Sequence, residues 1–173
     1  MTEHIAVQLR QTIKQHGGRT ATRIRAGNEW ATQTFSEFGR RIESVAQALL
    51  DLGIQPGDRI GLFANNCPQW SEVDFGVLTV RAILVPLYAT STREQIRHIA
   101  ADSDVRVMFV GGQTECERLL EVSGELPALE RIVCFDPWEG MPGHITTLDD
   151  FLTAPDETAI AGALAAADGA DLA

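Results

Sequence analysis

The sequence predicts an α/β fold: a parallel β-α-β sheet with helices on both faces, preceded by a helix and a β-hairpin. Three observations predict it. Between Asp58 and Val110, three apolar runs (Ile60 to Ala64, Ala82 to Leu87, Val105 to Val110) have strand length without strict alternation, the pattern of strands covered on both faces. The segments between them carry apolar residues at three- and four-residue steps, and they have the dozen or more residues that a crossover between parallel strands needs. Turn or cap residues bound each run, and right-handed crossovers then give a β-α-β-α-β unit.

Taken in order, Ile5, Val7, Leu9 and Ile13 recur among polar residues up to His16 and read as an amphipathic helix ended by Gly17 and Gly18. His4 and His16 are expected in solvent. Thr20 to Arg25 and Glu29 to Phe35 flank Gly27-Asn28, a pair suited to a hairpin turn with positive φ. Thr34-Phe-Ser-Glu37 has capping-box spacing, and Phe38, Ile42, Val45, Leu49 and Leu52 follow at helical steps until Gly53. Burial of those side chains contributes about 1.5–3 kcal/mol each, against about 1–2 kcal/mol per residue of backbone ordering, so the helix needs a sheet to lie on. Gln55-Pro56-Gly57-Asp58 reads as a type II turn into the first parallel strand.

Pro68 suits the first position of the next helix. Trp70, Val73, Val77, Val80 and Leu84 are read as its inner stripe, with Trp70 in the core rather than stacked on a ligand. Ser91-Thr-Arg-Glu94 is read as a second capping box ahead of Ile96, Ile99 and Ala100, with His98 a satisfied, half-buried imidazole. Asp102-Ser103-Asp104 turns the chain into the third strand and Gly111-Gly112 breaks it. Thr114-Glu-Cys-Glu117 repeats the box spacing before Leu119-Leu120. A helix N-terminus there would suit a phosphate, but Glu115 and Glu117 occupy that turn and repel an anion. Ile132 to Phe135 reads as a fourth strand, Asp136 to His144 as a loop, and Thr147-Leu-Asp-Asp150 as the start of a short helix. From Pro155 onward Ala dominates and no basic residue occurs. The expected division is an α/β subdomain over residues 1–154 and an acidic connector over 155–173, an exposed helix with little apolar surface for docking and a turn at Asp168 to Asp171.

Composition removes several classes of function. A chain of 173 residues with 45% hydrophobic and 22% charged residues is the size of one soluble α/β domain. No apolar run approaches the roughly 20 residues of a membrane span, and the start lacks a signal peptide's pattern, so a cytoplasmic location is the expectation. The net charge of -10 argues against nucleic acid. Lys14 is the sole lysine, and neither GxxxxGK[ST] nor GxGxxG occurs, which leaves no cradle for a polyphosphate and argues against a dinucleotide-binding domain. Cys67, Cys116 and Cys134 are too far apart for a disulfide framework or metal-ligand spacing and read as small apolar fillers.

The run TFSEFGRRIESVAQALLDLGIQPGDRIGLFANNCPQW, followed by RAILVPLYATSTREQIRHIAADSDVRVMFV, resembles the N-terminal portion of the AMP-forming acyl-CoA synthetases, of the adenylate-forming superfamily. Most specific are LGIQPGDRI, the set Asn66, Pro68 and Trp70, and VPLYATSTREQIRHI, which looks most like the long-chain fatty acid branch. The resemblance implies a parent enzyme that joins a fatty acid to coenzyme A at the expense of ATP, with Mg2+, and releases AMP and pyrophosphate. In that family the phosphate loop follows a segment similar to ADGADLA, and the Lys, Glu and Asp residues of the chemistry come later still. The expectation is therefore an N-terminal segment, inactive alone, with no catalytic or metal residue of its own and no tight hold on ATP, Mg2+ or CoA.

In open parallel sheets ligands collect beyond the carboxyl ends of the strands. By resemblance to the acetyl-CoA synthetase branch, the candidate CoA-facing positions are Tyr88, Ser91, Gly111 and Gly112, against the plainer reading of Ser91 as a cap and Gly111 as a strand break. The alternative to a ligase segment is a non-catalytic binding or oligomerisation module on the same scaffold. The resemblance leaves a homodimer and a peripheral membrane contact of the parent open, although no basic amphipathic patch supports the latter.

Overall fold

A computed structural model describes residues 4–169 and 171 of the chain. α1 (Ile5–His16) opens it. His4 is its N-cap: the imidazole Nδ1 accepts from the Ala6 N–H at 3.3 Å and the ring is buried, not solvated as expected. β1 (Thr20–Ala26) and β2 (Glu29–Thr34) form the antiparallel hairpin, turned at Gly27 with φ +63°. α2 (Phe35–Asp51) starts at the capping box read from the sequence, with the Glu37 carboxylate accepting from the Thr34 N–H at 2.8 Å and Thr34 Oγ1 accepting from the Glu37 N–H at 3.2 Å.

The sheet contains β3 (Arg59–Phe63), β4 (Ile83–Leu87), β5 (Val107–Val110), β6 (Arg131–Cys134) and β7 (Thr146–Thr147), all parallel, in the order β4-β3-β5-β6-β7. α3 (Pro68–Thr79), α4 (Arg93–Asp102) and α5 (Gln113–Ser123) make the crossovers. α6 (Leu148–Phe151) and α7 (Glu157–Ala165) follow. β7 was not foreseen. Two residues carry no periodicity, and only pairing with Val133 and Cys134 makes them a strand.

The apolar strands feed two cores because successive side chains point to opposite faces. Ile60, Leu62, Val107, Phe109 and Val133 meet Val45, Leu49, Val73, Val77 and Ile160 on the side of α2, α3 and α7. Phe63, Met108, Val110 and Cys134 meet Ile96, Cys116 and Leu119 on the side of α4 and α5. Helices therefore lie on both faces, as the unbroken apolar runs require.

Several local expectations move. Leu84, assigned to the stripe of the third helix, lies in β4, because α3 ends at Thr79 and Arg81 turns the chain in the left-handed region at φ +62°. α4 is capped by Thr92 with Gln95, one residue later than the Ser91 box: Thr92 Oγ1 accepts from the Gln95 N–H at 3.4 Å and Gln95 Oε1 from the Thr92 N–H at 2.9 Å. α5 begins straight after Gly112, so Thr114 is inside it and caps nothing. His98 is exposed rather than half-buried. α7 docks through buried Ile160 and Leu164, which suffice where the Ala-rich composition promised little.

Candidate functional site

Within the sheet the chain starts at β3, places β4 on one side, then crosses back to β5 on the other. That reversal makes the carboxyl ends of β3 and β5 the topological switch point, where doubly wound sheets bind ligands. Here it is filled. A Cβ on Gly111 would stand 3.2 Å from Ala64 Cβ and 3.5 Å from Glu115 Oε2, and one on Gly112 would stand 3.7 Å from Asp136 Cβ. Glu115 is 9% exposed and accepts a long hydrogen bond from Asn65 Nδ2 at 3.4 Å. The crevice thus offers a buried carboxylate and Asp136, negative charges that disfavour an anion placed beside them.

The open space lies one strand over. Beyond the ends of β3 and β4 a cavity of about 650 Å³ is lined by Asn65, Asn66, Trp70, Pro86, Tyr88 and Thr90 among others. Its walls are amide, hydroxyl, aromatic and apolar, without a charged side chain. Tyr88 is 85% exposed at the rim. Trp70, expected wholly in the core, packs on it with one part and lines this cavity with another. Ser91 is buried beneath, its N–H donating to the Tyr88 carbonyl at 2.8 Å, which closes the turn that presents Tyr88. Of the four sequence candidates, Tyr88 and Ser91 therefore share the loop after β4, and Gly111 and Gly112 share the loop after β5. The end of β3 separates the pairs by two strand spacings, about 10 Å. Arg118 of α5 bridges the gap by donating to the Ala89 carbonyl at 3.1 Å.

A second cleft, of about 400 Å³, lies under the hairpin and includes Gln33, Arg41, Glu72 and Phe135 in its lining. Glu72 is 2% exposed and accepts from Gln33 Nε2 at 2.8 Å and from Arg41 Nε at 2.7 Å. Sequence reasoning passed over Glu72; the available signal was an acid beside Val73 in an apolar helix. Burial opposes the Arg41 charge, but Glu72 and Asp149 together outweigh it and hold the guanidinium pKa above its ordinary value. This network ties the hairpin to α2 and α3.

No nucleophile emerges from the cysteines. Burial pushes the thiols of Cys67 and Cys134 up and that of Cys116 to about 12, which leaves them protonated at neutral pH. Among the described residues no group of three or more His, Cys, Asp and Glu side chains could hold a metal ion, and no helix is long and apolar enough to cross a membrane.

Strand order and helix placement define an open, doubly wound α/β domain with its polar loops gathered at one end of the sheet. The family model described as AMP-binding enzyme matches residues 9–161, and the chain belongs to that family. It is 36% identical over 104 residues to the long-chain-fatty-acid–CoA ligase FadD15 of Mycobacterium tuberculosis, a match covering 60% of this chain and 17% of that protein. It is 30% identical over 121 residues to the long-chain-fatty-acid–CoA ligase heimdall of Drosophila melanogaster, covering 69% of this chain and 18% of that protein. The solved structure of a long-chain-fatty-acid-CoA ligase (FadD1) from Archaeoglobus fulgidus shares the fold at TM-score 0.75 and 17% identity, over 90% of this chain and 31% of that one. The chain thus spans less than a fifth of the length of these curated relatives.

Proposed function

We propose that this chain is the scaffold portion of an AMP-forming long-chain fatty acid CoA ligase and does not catalyse either half-reaction by itself. The observation that carries the reading is the chemistry of the switch-point crevice: a buried carboxylate, Glu115, stands where the fold collects ligands, and no cation accompanies it. A phosphoryl or adenylyl transfer needs cations preorganised around developing negative charge, and the crevice presents carboxylates instead. Its sequence also lacks a Gly-rich loop carrying Lys. The lengths of the matched relatives agree, since most of each lies outside the matched segment.

In this reading ATP and Mg2+ are held by other parts of the parent enzyme. The neutral cavity below Tyr88 takes the amide-rich pantetheine arm of coenzyme A, with Ser91 fixing the turn, while Gly111 and Gly112 rim the neighbouring crevice. Amides and hydroxyls at Asn65, Asn66 and Thr90 suit a chain of peptide-like groups, and Trp70 and Tyr88 suit its methylene segments. The test is fatty-acid-dependent exchange between ATP and pyrophosphate by the purified chain. No turnover above a blank without protein is expected, and measurable turnover would overturn the proposal of an inactive scaffold. Titration with pantetheine, followed by Trp70 fluorescence in a variant lacking the other tryptophans, reads the second part; a Tyr88→Ala change that leaves it unaltered overturns the assignment of that loop.

A further inference from the structure

Away from the sheet, α1, α2 and α7 enclose a groove of about 380 Å³ that no strand residue lines. The volume falls in the range of small-molecule sites. One wall is aliphatic, formed by Leu9, Ile13, Ile42, Ile160 and Leu164. Arg10, Lys14 and Arg40 stand on it with Glu43 and Glu157, so a locally positive spot exists on a chain whose net charge is -10. Arg10 Nε is the one buried side-chain donor or acceptor among the described residues that has no hydrogen-bond partner. It forms an ion pair with Glu43 Oε1 at 3.5 Å, without a hydrogen bond. Lys14 makes no ion pair among the described residues. A buried donor without a hydrogen bond is costly to keep, and a ligand oxygen on the wall of this half-apolar groove would supply one in competition with Glu43. Its chemistry follows from the two walls.

We propose that this groove binds an anionic amphiphile, an alkyl chain ending in a carboxylate or phosphate, with the chain on the aliphatic wall and the head on Arg10 and Lys14. The site is separate from the strand-end cavity and stands independently of the ligase reading. Decanoate, decyl phosphate and decanol are titrated into the whole chain by calorimetry, and amide shifts are followed by NMR. Decanoate is expected to bind saturably at one site per chain below its micellar range, with shifts concentrated in α1 and α7. Decyl phosphate binding as well marks the head as any anionic oxygen, and decyl phosphate failing while decanoate binds narrows it to a carboxylate; both support the groove. Decanol is expected about tenfold weaker, the loss of one charge-assisted hydrogen bond. Arg10→Met and Lys14→Gln should each weaken decanoate by about as much and leave decanol unchanged, with thermal melts verifying that both variants fold. Lys14 is exposed, so its variant keeps the test open if Arg10→Met fails to fold. Equal binding of decanol, indifference to both variants, no saturable binding, or shifts confined to residues 64–66 and 86–90 would each overturn the proposal.

Discussion

Gly76→Ala sets two effects of opposite sign against each other. In an open helix the change is favourable by about 1 kcal/mol, because glycine gives up more backbone freedom on folding than alanine. At Gly76 the new methyl would stand 2.5 Å from Val45 Cγ1, 2.8 Å from Val45 Cβ and 3.3 Å from the Ile42 carbonyl oxygen. Val45 is 0% exposed and β-branched on α2, so it has one comfortable rotamer and nowhere to move. The helices must separate, and overpacking of this kind costs about 1–3 kcal/mol. The net expectation is a loss of up to about 2 kcal/mol, with Tm falling by about 2–4 °C for each kcal/mol. Gly162→Ala on α7 is the control, since a methyl there meets nothing within 4 Å and the same helix-propensity gain acts alone. Urea unfolding with an unchanged m-value should move the two midpoints in opposite directions. A midpoint raised in both variants would refute the close α2–α3 crossing on which this account of the first core rests.

Three further outcomes follow from the same geometry. Thr92→Ala should destabilise the chain by about 1 kcal/mol and Ser91→Ala by much less, measured by urea midpoint, because Thr92 holds the cap of α4. Arg41→Met leaves Glu72, whose side chain is 3% exposed, with only the Gln33 amide; the loss should be about 2–3 kcal/mol, below the usual cost of stranding a buried charge because Arg41 is itself 34% exposed. Asp171 accepts two hydrogen bonds from Arg81, at 2.7 and 2.9 Å, and one from the Asp168 N–H at 3.0 Å, and these hold its carboxyl well below the usual range. Its contribution to stability is complete above the unfolded carboxyl pKa of about 4 and disappears as pH falls toward the folded value, so Asp171→Asn should be less stable at neutral pH and converge with the parent chain in acid, as urea midpoints across pH will read.

Caps and turns were legible where one residue decides the outcome. Thr34 with Glu37, Gly27 and the Pro56-Gly57 turn are local devices, and they occur where their spacing placed them. The boxes at Ser91 and Thr114 failed because capping-box spacing is common and the end of the preceding strand decides which residue is free to cap. Arg81 in the left-handed region is the reverse case: nothing in a run of ordinary residues announces it, and the paired carboxylate that steadies it, Asp171, is distant in sequence. The candidate site was legible as a set of loops but not as a shape. Tyr88, Ser91, Gly111 and Gly112 follow adjacent apolar runs in the sequence, yet β3 lies between their strands in space. Glu72 and Glu115 went unweighed or half-weighed as buried acids, since burial belongs to the assembled layers and not to the segment.

Fold class and the parallel sense of the sheet were already fixed by local pattern, because unbroken apolar runs with long helical links can bury both faces in few other ways. The single lysine and the lack of a GxxxxGK[ST] run raised the further expectation that the phosphates are held elsewhere. Strand order came from the folded chain alone, and with it that Glu115 is buried at the switch point while the open cavity lies beside it at β4. Periodicity records which face of an element is apolar; which element it faces is settled when side chains far apart in the chain compete for the same volume.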